Sequence, residues 1–295
     1  MIYFITCSAI WGLTWIAIKF QFDAVDSNVA VFYRFIVASL LLFAFTFYKK
    51  IPLKYDKSAH AYFAAQGFFM FCINYLLTYW ASHLAPSALV ALGYTALIYF
   101  NMVGGKIFLG LPIERKVMVG AILSFAGMAL ISYNEISTIE LYPTSTSLAG
   151  FAISLVATLS ASAGNLIALK NRGKKIPISA NNAWGMLYGS FYTLLYCLTM
   201  QKPFAIHGMN SAFVISFIYL TFFGTIISFG AYLKLLELVG PSKAAFTSVV
   251  SPVIAIAVSM LYEKLPMTLL LTCGVILCLS GNFIALIFIQ KKYAD

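Results

Sequence analysis

Residues 81–87 read ASHLAPS, and residues 236–242 read LELVGPS. Each stretch ends one long apolar run, begins the next, and closes on Pro-Ser. Similar junctions that recur at a long interval indicate a duplicated architecture. The chain is therefore predicted to consist of two related halves.

Four glycines extend this repeat beyond the junction. Gly120 and Gly127 match Gly274 and Gly281 at a common offset. Each pair falls in the last apolar run of its half, and the order of the matches is the same in both halves. The glycines therefore favour duplication of the whole chain over chance similarity at one junction.

The composition is that of a membrane protein. Of the 295 residues, 62% are hydrophobic and 9% are charged, and the mean hydropathy is +0.91. Soluble domains have about 45–50% apolar and about 25% charged residues. The net charge of +10 would suggest nucleic-acid binding in a soluble protein, but here the basic residues lie in short loops between apolar runs. We therefore expect membrane lipids and a small-molecule substrate as partners, and no nucleic acid.

Ten apolar segments are long enough to cross a bilayer. A membrane helix needs about 20 apolar residues, and most of the connections are very short, which makes neighbouring helices antiparallel. The predicted segments are 2–21, 28–48, 61–82, 86–109, 116–133, 147–169, 179–200, 211–236, 241–262 and 267–289.

The positive charges orient these helices. With the N-terminus in the cytoplasm, 15 of the 19 Lys and Arg residues lie on the inner side, Arg34 lies within a helix, and only Lys19, Lys202 and Lys264 lie outside. Cytoplasmic loops of membrane proteins are enriched in Lys and Arg. We expect a multi-pass protein of the cell inner (plasma) membrane with both termini in the cytoplasm.

Each half contains five helices, so the second half enters the membrane in the opposite orientation. The predicted fold class is all-α integral membrane, with ten transmembrane helices in two inverted five-helix repeats around a central cavity. The first repeat covers residues 1–137 and the second covers residues 146–292. Inverted repeats are characteristic of secondary transporters, which place the substrate site near the midplane between the repeats.

Short motifs spread over nearly the whole chain carry a resemblance to a known family. In them the chain resembles the drug/metabolite transporter superfamily, in its EamA-like branch. The resemblance implies two five-helix repeats around a central cavity, with export of amino acids or other metabolites as the commonest role. The motifs are SAIWG at 8–12, Lys19, YRF at 33–35, Pro-Ser at 86–87 and 241–242, YEK at 262–264, Gly127 and Gly281.

One motif departs from the family pattern and leads to the gating candidates. EamA-like proteins often carry Gly-Glu at the end of both the fourth and the ninth helix, but here only Glu263 is present, and the first half reads FLGL at 108–111. Pro252 is the second gating candidate, because a proline inside a helix kinks it. Its counterpart in the first half is Leu97. Ordinary structural bending is the alternative for Pro252.

Two cations are candidates for substrate binding. Arg34 lies about two turns into the second helix, and an Arg at the centre of a membrane helix costs about 2.5–3.5 kcal/mol. Its planar guanidinium suits a substrate carboxylate. The alternative is that the side chain snorkels to the outer headgroups. Lys19 lies near the same face, and the same two interpretations apply to it.

The remaining candidates are polar or aromatic side chains in helices that should border the cavity. An Asn amide in lipid needs partners, so it either joins helices or lines the cavity. Aromatic rings either pack against neighbours or form walls that stack on a substrate. These candidates are Thr14, Trp15, Asn74, Tyr79, Tyr94, Tyr99, Asn101, Asn165, Trp184 and Tyr188.

Several chemistries lack the residues that they require. The sequence contains no Gly-x-x-x-x-Gly-Lys-Ser/Thr motif and no His-Glu-x-x-His motif. Its five cysteines lie inside apolar runs without a CxxC pair. We expect no catalytic residue, no cofactor and no metal site. No carboxylate lies deep in a predicted helix, which favours a facilitator or exchanger over proton coupling.

Three function classes compete for such a chain. A membrane-embedded enzyme acting on a lipid or isoprenoid would need clustered Asp, His or Glu near the cytoplasm, and the sequence has no such cluster. A structural or receptor-like membrane protein would more often carry a sizeable soluble domain. The duplication and the resemblance favour a secondary transporter of amino acids or related carboxylate-bearing compounds, working by alternating access as exporter, facilitator or exchanger.

Overall fold

The computed structural model describes residues 1–21, 24–85, 87–138, 144–207, 209–262 and 268–286. Within these ranges every regular element is a helix. Two π-helical segments, π1 (Gly67–Ile73) and π2 (Phe222–Ile227), each connect two α-helices without a break. The α-helices are α1 (Ile2–Lys19), α2 (Ser27–Tyr48), α3 (Lys57–Gln66), α4 (Asn74–Leu84), α5 (Ser87–Thr95), α6 (Leu97–Leu109), α7 (Arg115–Thr138), α8 (Thr144–Gly173), α9 (Ile178–Thr199), α10 (Ser211–Thr221), α11 (Ser228–Val239), α12 (Pro241–Ala244), α13 (Thr247–Tyr262) and α14 (Leu269–Leu286).

Every apolar segment predicted from the sequence coincides with a helical run. Three apolar helices of 10–17 residues are Ile2–Thr14, Pro241–Ala257 and Leu269–Ala285. Large apolar side chains such as Phe108 and Phe283 are exposed on the outside of the bundle, where hydrocarbon is their natural solvent. Among the described residues, six stretches are long and apolar enough to cross a membrane: Ser27–Tyr48, Lys57–Leu84, Leu89–Leu109, Arg115–Tyr133, Ser145–Gly173 and Ser211–Val239.

Polar caps and glycine turns set several helix ends. The Asp26 carboxylate accepts hydrogen bonds from the backbone N–H groups of Asn28 at 2.9 Å and Val29 at 3.4 Å, and this caps the N-terminus of α2. Gly110 ends α6 with φ of 66°. Gly240 separates α11 from α12 with φ of 82°. Both residues have a positive φ, and such backbone conformations favour glycine because glycine has no Cβ.

The bundle is built from helices that are far apart in sequence. α7 packs along α14, α2 along α9, α4 along α8 and α1 along α13. The largest buried cluster joins these pairs and includes Phe35, Phe71, Phe246 and Leu236. The residues of this cluster therefore come from both halves of the chain.

Glycines bring α7 and α14 into backbone contact. A Cβ added to Gly120 would stand 2.5 Å from the carbonyl oxygen of Gly281, and one added to Gly127 would stand 2.6 Å from that of Gly274. Residue numbers run in opposite directions along the two helices, so the pair is antiparallel. Small residues allow such close approach in membrane helices, where packing rather than the hydrophobic effect drives association.

The π-helical segments each offer a carbonyl to a helix of the other half. Ser160 Oγ in α8 donates to the Phe69 carbonyl in π1 at 2.8 Å. Trp11 Nε1 in α1 donates to the Gly224 carbonyl in π2 at 3.2 Å. The widened helical turn leaves carbonyls free for such outside donors, and π-bulges are frequent at functional sites.

Candidate substrate-binding site

A cavity of about 790 Å³ lies between the start of α2, the π1–α4 helix, the end of α9 and the segment that follows α9. The distribution of positive charges in the sequence predicts that this is the outer end of the bundle. Its wall is mainly apolar, with Asp26, His83, Lys202 and His207 as the groups that carry or can carry charge. Lys202 pairs with Asp26 at 3.4 Å. A mainly apolar wall with a few polar groups is typical of a small-molecule site.

A narrow gap adjoins this cavity, and Tyr79 lies where the two meet. The side chain lines both spaces. The other residues around the gap are Ile18, Gln21, Val25, Ser27 and Ala30. Of the described aromatic side chains predicted to line a cavity, Tyr79 lines this one.

Arg34 lies one turn beyond Ala30 on α2 and is only 6% exposed. Its guanidinium carbon stands 5.0 Å from the ring centroid of Phe35 and 4.8 Å from that of Tyr75. Cation–π contacts of this kind contribute about 0.5–2 kcal/mol each. No ion pair formed between described residues involves Arg34, and its Nε lacks an acceptor among them. A buried cation in this state attracts an anion.

Asn74 and Tyr94 belong to a hydrogen-bonded cluster that ties three helices together. Asn74 Nδ2 donates to the Tyr94 hydroxyl at 2.8 Å and to the Ala157 carbonyl at 2.9 Å. The Tyr94 hydroxyl also contacts that of Thr78. These bonds join α4, α5 and α8. Because both N–H groups of Asn74 are used, this arrangement fits the interhelical role that was one of its two interpretations.

Asn101 and Asn165, separated by 64 positions in the sequence, meet in the interior. Asn165 Nδ2 donates to the Tyr232 hydroxyl at 2.9 Å and lies 3.5 Å from the Asn101 Oδ1. Asn101 Nδ2 donates to the Pro241 carbonyl at 2.9 Å. Asn101 is 0% and Asn165 2% exposed. The cluster joins α6, α8, α11 and α12 away from the 790 Å³ cavity.

Trp184 and Tyr188 lie on the face of α9 that packs on α3 rather than beside the cavity. Trp184 Nε1 donates to the Leu53 carbonyl at 3.3 Å. The Tyr188 hydroxyl lies 3.1 Å from His60 Nδ1, and the His60 ring stands edge-on to Trp184 at 4.5 Å between centroids. The α3–α9 contact therefore uses both aromatic residues for packing.

The other candidates are placed singly. The Thr14 hydroxyl donates to the Trp11 carbonyl one turn earlier at 2.6 Å. Tyr99 meets Phe125 edge-on at 6.4 Å. Pro252 lies inside the continuous helix α13. The side chains of Trp15 and Lys19, which lie on α1, and all of Glu263 fall outside what the structure describes.

Sequence reasoning missed Tyr75, which contacts Arg34, and Gln21, which lines the narrow gap. Tyr75 lies one helical turn before Tyr79, and residues four apart share a helix face, so this spacing was a usable signal. Gln21 follows α1 and is 5% exposed, and its Nε2 has no acceptor among the described residues. A polar amide at the end of an apolar run resembles an ordinary helix end, so the sequence does not distinguish it.

Ion pairs gather at the opposite end of the bundle. Arg172 Nη2 lies 2.8 Å from Glu237 Oε1, and Lys234 Nζ lies 3.1 Å from Glu237 Oε2. Lys243 Nζ lies 2.8 Å from Glu114 Oε2. These pairs connect the ends of α8 and α11, and connect α12 with the residue that precedes α7.

Known proteins of similar sequence are transporters. A relative from Escherichia coli (strain K12), named "Probable amino-acid metabolite efflux pump", is 22% identical over 93% of this chain and 90% of its own length. A relative from Buchnera aphidicola subsp. Schlechtendalia chinensis, named "Uncharacterized transporter in trpA 3'region", is 23% identical over 86% of this chain and 82% of its own length.

The fold has a counterpart among solved structures. One of them, described only as "Crystal structure of protein", superposes with a TM-score of 0.80 at 14% identity and covers 99% of this chain and 98% of its own. The EamA-like transporter family matches residues 1–133 and 148–287. The chain therefore belongs to the EamA-like transporter family and is a membrane transporter rather than an enzyme.

Proposed function

We propose that this chain is a secondary transporter that moves amino acids or related carboxylate-bearing metabolites across the cytoplasmic membrane by alternating access. Relatives in Escherichia coli and Salmonella typhimurium, each 22% identical, are named as probable amino-acid metabolite efflux pumps, which supports this substrate class. The observation that carries the proposal is a buried arginine without a carboxylate partner among the described residues, close to a cavity of substrate size. The transporter acts as an exporter, a facilitator or an exchanger.

The glycine contacts support two inverted five-helix repeats. Gly120 corresponds to Gly274, and Gly127 to Gly281, at an offset of 154 in both cases (274 − 120 and 281 − 127). The contacts, however, join Gly120 to Gly281 and Gly127 to Gly274. Across a two-fold axis, if position i of one repeat contacts position j of the other, then position j of the first contacts position i of the second. Inverted repeats are related by such an axis in the membrane plane.

The π-helical segments support the same symmetry. Phe69 in π1 and Gly224 in π2 differ by 155 positions (224 − 69), close to the offset of the glycines. Each of their carbonyls accepts a hydrogen bond from the first helix of the other half, through Ser160 in α8 and Trp11 in α1. We infer that π1 and π2 are equivalent hinges at which the two repeats move against each other.

The charge distribution sets the orientation in this proposal. Ten transmembrane helices, divided into repeats at residues 1–137 and 146–292, place both termini in the cytoplasm. The cavity beside Tyr79 then faces the outside. The ion pairs around Glu237 and the cluster around Asn101 then lie toward the cytoplasm. This arrangement corresponds to a state that is accessible from the outside and closed toward the inside.

Arg34 is the proposed contact for the substrate carboxylate. The side chain is buried and flanked by Phe35 and Tyr75, and it lacks a carboxylate partner among the described residues. Hydrogen bonds to charged groups contribute about 1.5–3 kcal/mol, and a bidentate arginine fits a carboxylate in geometry as well as in charge. The snorkelling alternative requires the guanidinium to be in water, and a side chain that is 6% exposed does not favour it.

The other candidates receive roles that follow from their contacts. Asn101 and Asn165 close the cytoplasmic side through Tyr232, and Trp184 and Tyr188 hold α9 on α3. Pro252 lies in α13, which packs on α1, and there it serves as a gating position. Glu263 remains a gating candidate by family resemblance.

The experiment is uptake into liposomes that contain the purified protein, with a mixed panel of amino acids and organic anions. Arg34→Ala is compared with Arg34→Lys and with the control Arg115→Ala, which removes an exposed Arg at the start of α7. We expect selective uptake by the native chain and by Arg115→Ala. We expect Arg34→Ala to lose at least about tenfold in apparent affinity, since one charged hydrogen bond contributes about that much.

Two results would contradict parts of this proposal. Uptake that is unchanged in Arg34→Ala would remove Arg34 from the substrate path and leave a transporter with a different binding site. Absence of uptake for every compound in the panel, by a native protein that is folded and inserted, would contradict the proposed substrate class. Stoichiometric acidification or alkalinisation of the liposome interior during transport would contradict a facilitator or exchanger.

A further inference from the structure

We infer that Gln21 and Arg34 together form a two-donor subsite for the substrate carboxylate, and that Tyr79 separates this subsite from the 790 Å³ cavity. This inference rests on the proposed function and adds a second binding residue and a substrate preference to it. The preferred substrates are monocarboxylates with an apolar side group.

The position of Gln21 is fixed by its backbone. Its N–H donates to the Ile18 carbonyl at 2.9 Å, and its own carbonyl accepts from the N–H groups of Ala24 at 3.1 Å and Val25 at 3.3 Å. The side chain is buried, with 5% exposure, and its Nε2 has no acceptor among the described residues. Buried polar groups nearly always have partners, so an unpartnered amide donor in this place calls for an acceptor from outside the chain.

Gln21 and the helix that carries Arg34 border the same gap. Gln21 lines the gap together with Ser27, Ala30 and Tyr79. Arg34 follows Ala30 by four residues and therefore lies on the same face of α2. Gln21 Nε2 and Arg34 Nε are therefore two buried N–H donors without acceptors among the described residues. The first lines the gap, and the second lies one turn further along the face of α2 that lines it.

The chemistry of this pair selects a carboxylate. Arg34 supplies a full positive charge and Gln21 supplies a neutral donor. A carboxylate has two oxygens that accept from both, whereas an ammonium group has no acceptor and is repelled by the guanidinium. Asp26 and Lys202, two charged residues of the cavity wall, already pair with each other at 3.4 Å.

Tyr79 controls the route between the two spaces. The gap is too narrow to hold a water molecule in this conformation. Val25, Ser27 and Tyr79 line both the gap and the cavity, and Tyr79 has the largest side chain of the three. A turn of the Tyr79 side chain joins the gap to the cavity. The carboxylate then reaches Gln21 and Arg34 while the rest of the substrate stays in the cavity.

The cavity wall sets the preference for the rest of the substrate. The side chains that line it are mainly aliphatic or aromatic, and hydrophobic walls bind apolar groups by removing them from water. A branched aliphatic side group is therefore favoured over a charged one. The apolar part of the wall consists mainly of Ile73, Leu76, Leu77, Trp80, Tyr196 and Met200.

The test uses liposomes containing the full chain, with leucine, 4-methyl-2-oxopentanoate and leucinamide as probes. The first two share a carboxylate and an apolar side group, whereas leucinamide has the side group without the carboxylate. In the native protein we expect the oxo acid to inhibit leucine uptake and leucinamide to have no effect. Gln21→Met keeps the length of the side chain and removes its donor, so we expect KM to rise about tenfold at unchanged maximal rate.

Two more variants separate binding from folding. Gln21→Asn retains an N–H donor and is expected to keep part of the affinity. Gln21→Glu is nearly identical in shape but repels a carboxylate, so its KM is expected to exceed that of Gln21→Met. A residue with a merely structural role would lower the maximal rate and the thermal stability and leave KM unchanged.

The outcomes distinguish this inference from the proposed function. If the native protein transports leucine and Gln21→Met and Gln21→Glu have native KM values, the two-donor subsite is wrong and the transporter stands. If leucinamide inhibits as strongly as the oxo acid, carboxylate recognition at this subsite is wrong. If the native protein transports none of the panel of amino acids and organic anions, the proposed function itself fails.

Discussion

Gly120 of α7 and Gly281 of α14 touch through their backbones. A Cβ on Gly120 would stand 2.5 Å from the Gly281 carbonyl oxygen, closer than real Cβ atoms come to an oxygen. The corresponding contact between Gly127 and Gly274 lies two turns along the same helices. The helix pair therefore depends on the absence of four side chains.

Substitution at these glycines is expected to destabilise the protein. Gly120→Val and Gly127→Val force α7 and α14 apart, and overpacking of this kind costs about 1–3 kcal/mol. Gly230→Ala is the control, because a Cβ there has nothing within 4 Å and alanine favours helix by about 1 kcal/mol. Thermal unfolding in detergent should show a lower Tm for the two valine variants and an equal or higher Tm for Gly230→Ala. Equal Tm values for all three would contradict the close contact.

Symmetric roles for π1 and π2 lead to a second prediction. Trp11→Phe and Ser160→Ala each remove one hydrogen bond to a π-helical carbonyl, and such bonds contribute about 0.5–1.5 kcal/mol. We expect each variant to change the maximal transport rate by between about twofold and tenfold, in the same direction, with KM near the native value. The measurement is the initial rate of uptake into liposomes at saturating substrate. Opposite effects of the two variants would be inconsistent with equivalent hinges.

The Asn165–Tyr232 hydrogen bond is suited to a double-mutant cycle. Asn165→Ala and Tyr232→Phe each break the 2.9 Å bond, so the double variant should lose less stability than the two single variants combined. Side-chain hydrogen bonds between membrane helices average about 0.6 kcal/mol and reach about 1.7 kcal/mol. The quantity to measure is the free energy of unfolding in mixed detergent micelles. Asn165→Ala combined with Thr199→Ala, at the exposed end of α9, should show coupling near zero.

The proposed orientation is testable by labelling from outside the cell. Lys54→Cys lies in a predicted inner loop and Ser211→Cys at the predicted outer end of a transmembrane helix, and both positions are exposed. With the exposed native Cys273 replaced by serine, a membrane-impermeant maleimide should label Ser211→Cys in intact cells. Lys54→Cys should be labelled only after the cells are opened. The reverse pattern would place the termini outside.

Much of the fold could be predicted because membrane insertion is a local property. Whether an apolar run spans the bilayer depends on its own length and charge. All ten predicted runs coincide with helices. The matched glycines were used only as evidence for duplication, and the structure shows that α7 and α14 meet at them. The π-helical segments escaped prediction, because π1 has the apolar sequence GFFMFCI, which is equally compatible with an ordinary α-helix.

The candidate site was less accessible to sequence reasoning. Arg34 stood out because a charge in an apolar run is costly wherever the helix packs. Trp184 and Tyr188 were expected beside the cavity, but the rotation of α9 turns them toward His60. Gln21 was overlooked, because its burial depends on the turn that follows α1.

The sequence by itself determined that this is a membrane protein, where its helices lie and to which family it belongs. Hydropathy, charge and short motifs all depend on residues that are close together in the chain. Only the tertiary structure decided which side chains meet. Asn101 reaches Asn165 across 64 positions and Pro241 across 140, while Gln21 after α1, Ala30 of α2 and Tyr79 of α4 line one gap. Such contacts depend on the rotation and depth of each helix, and these are set by packing between segments that are distant in the chain.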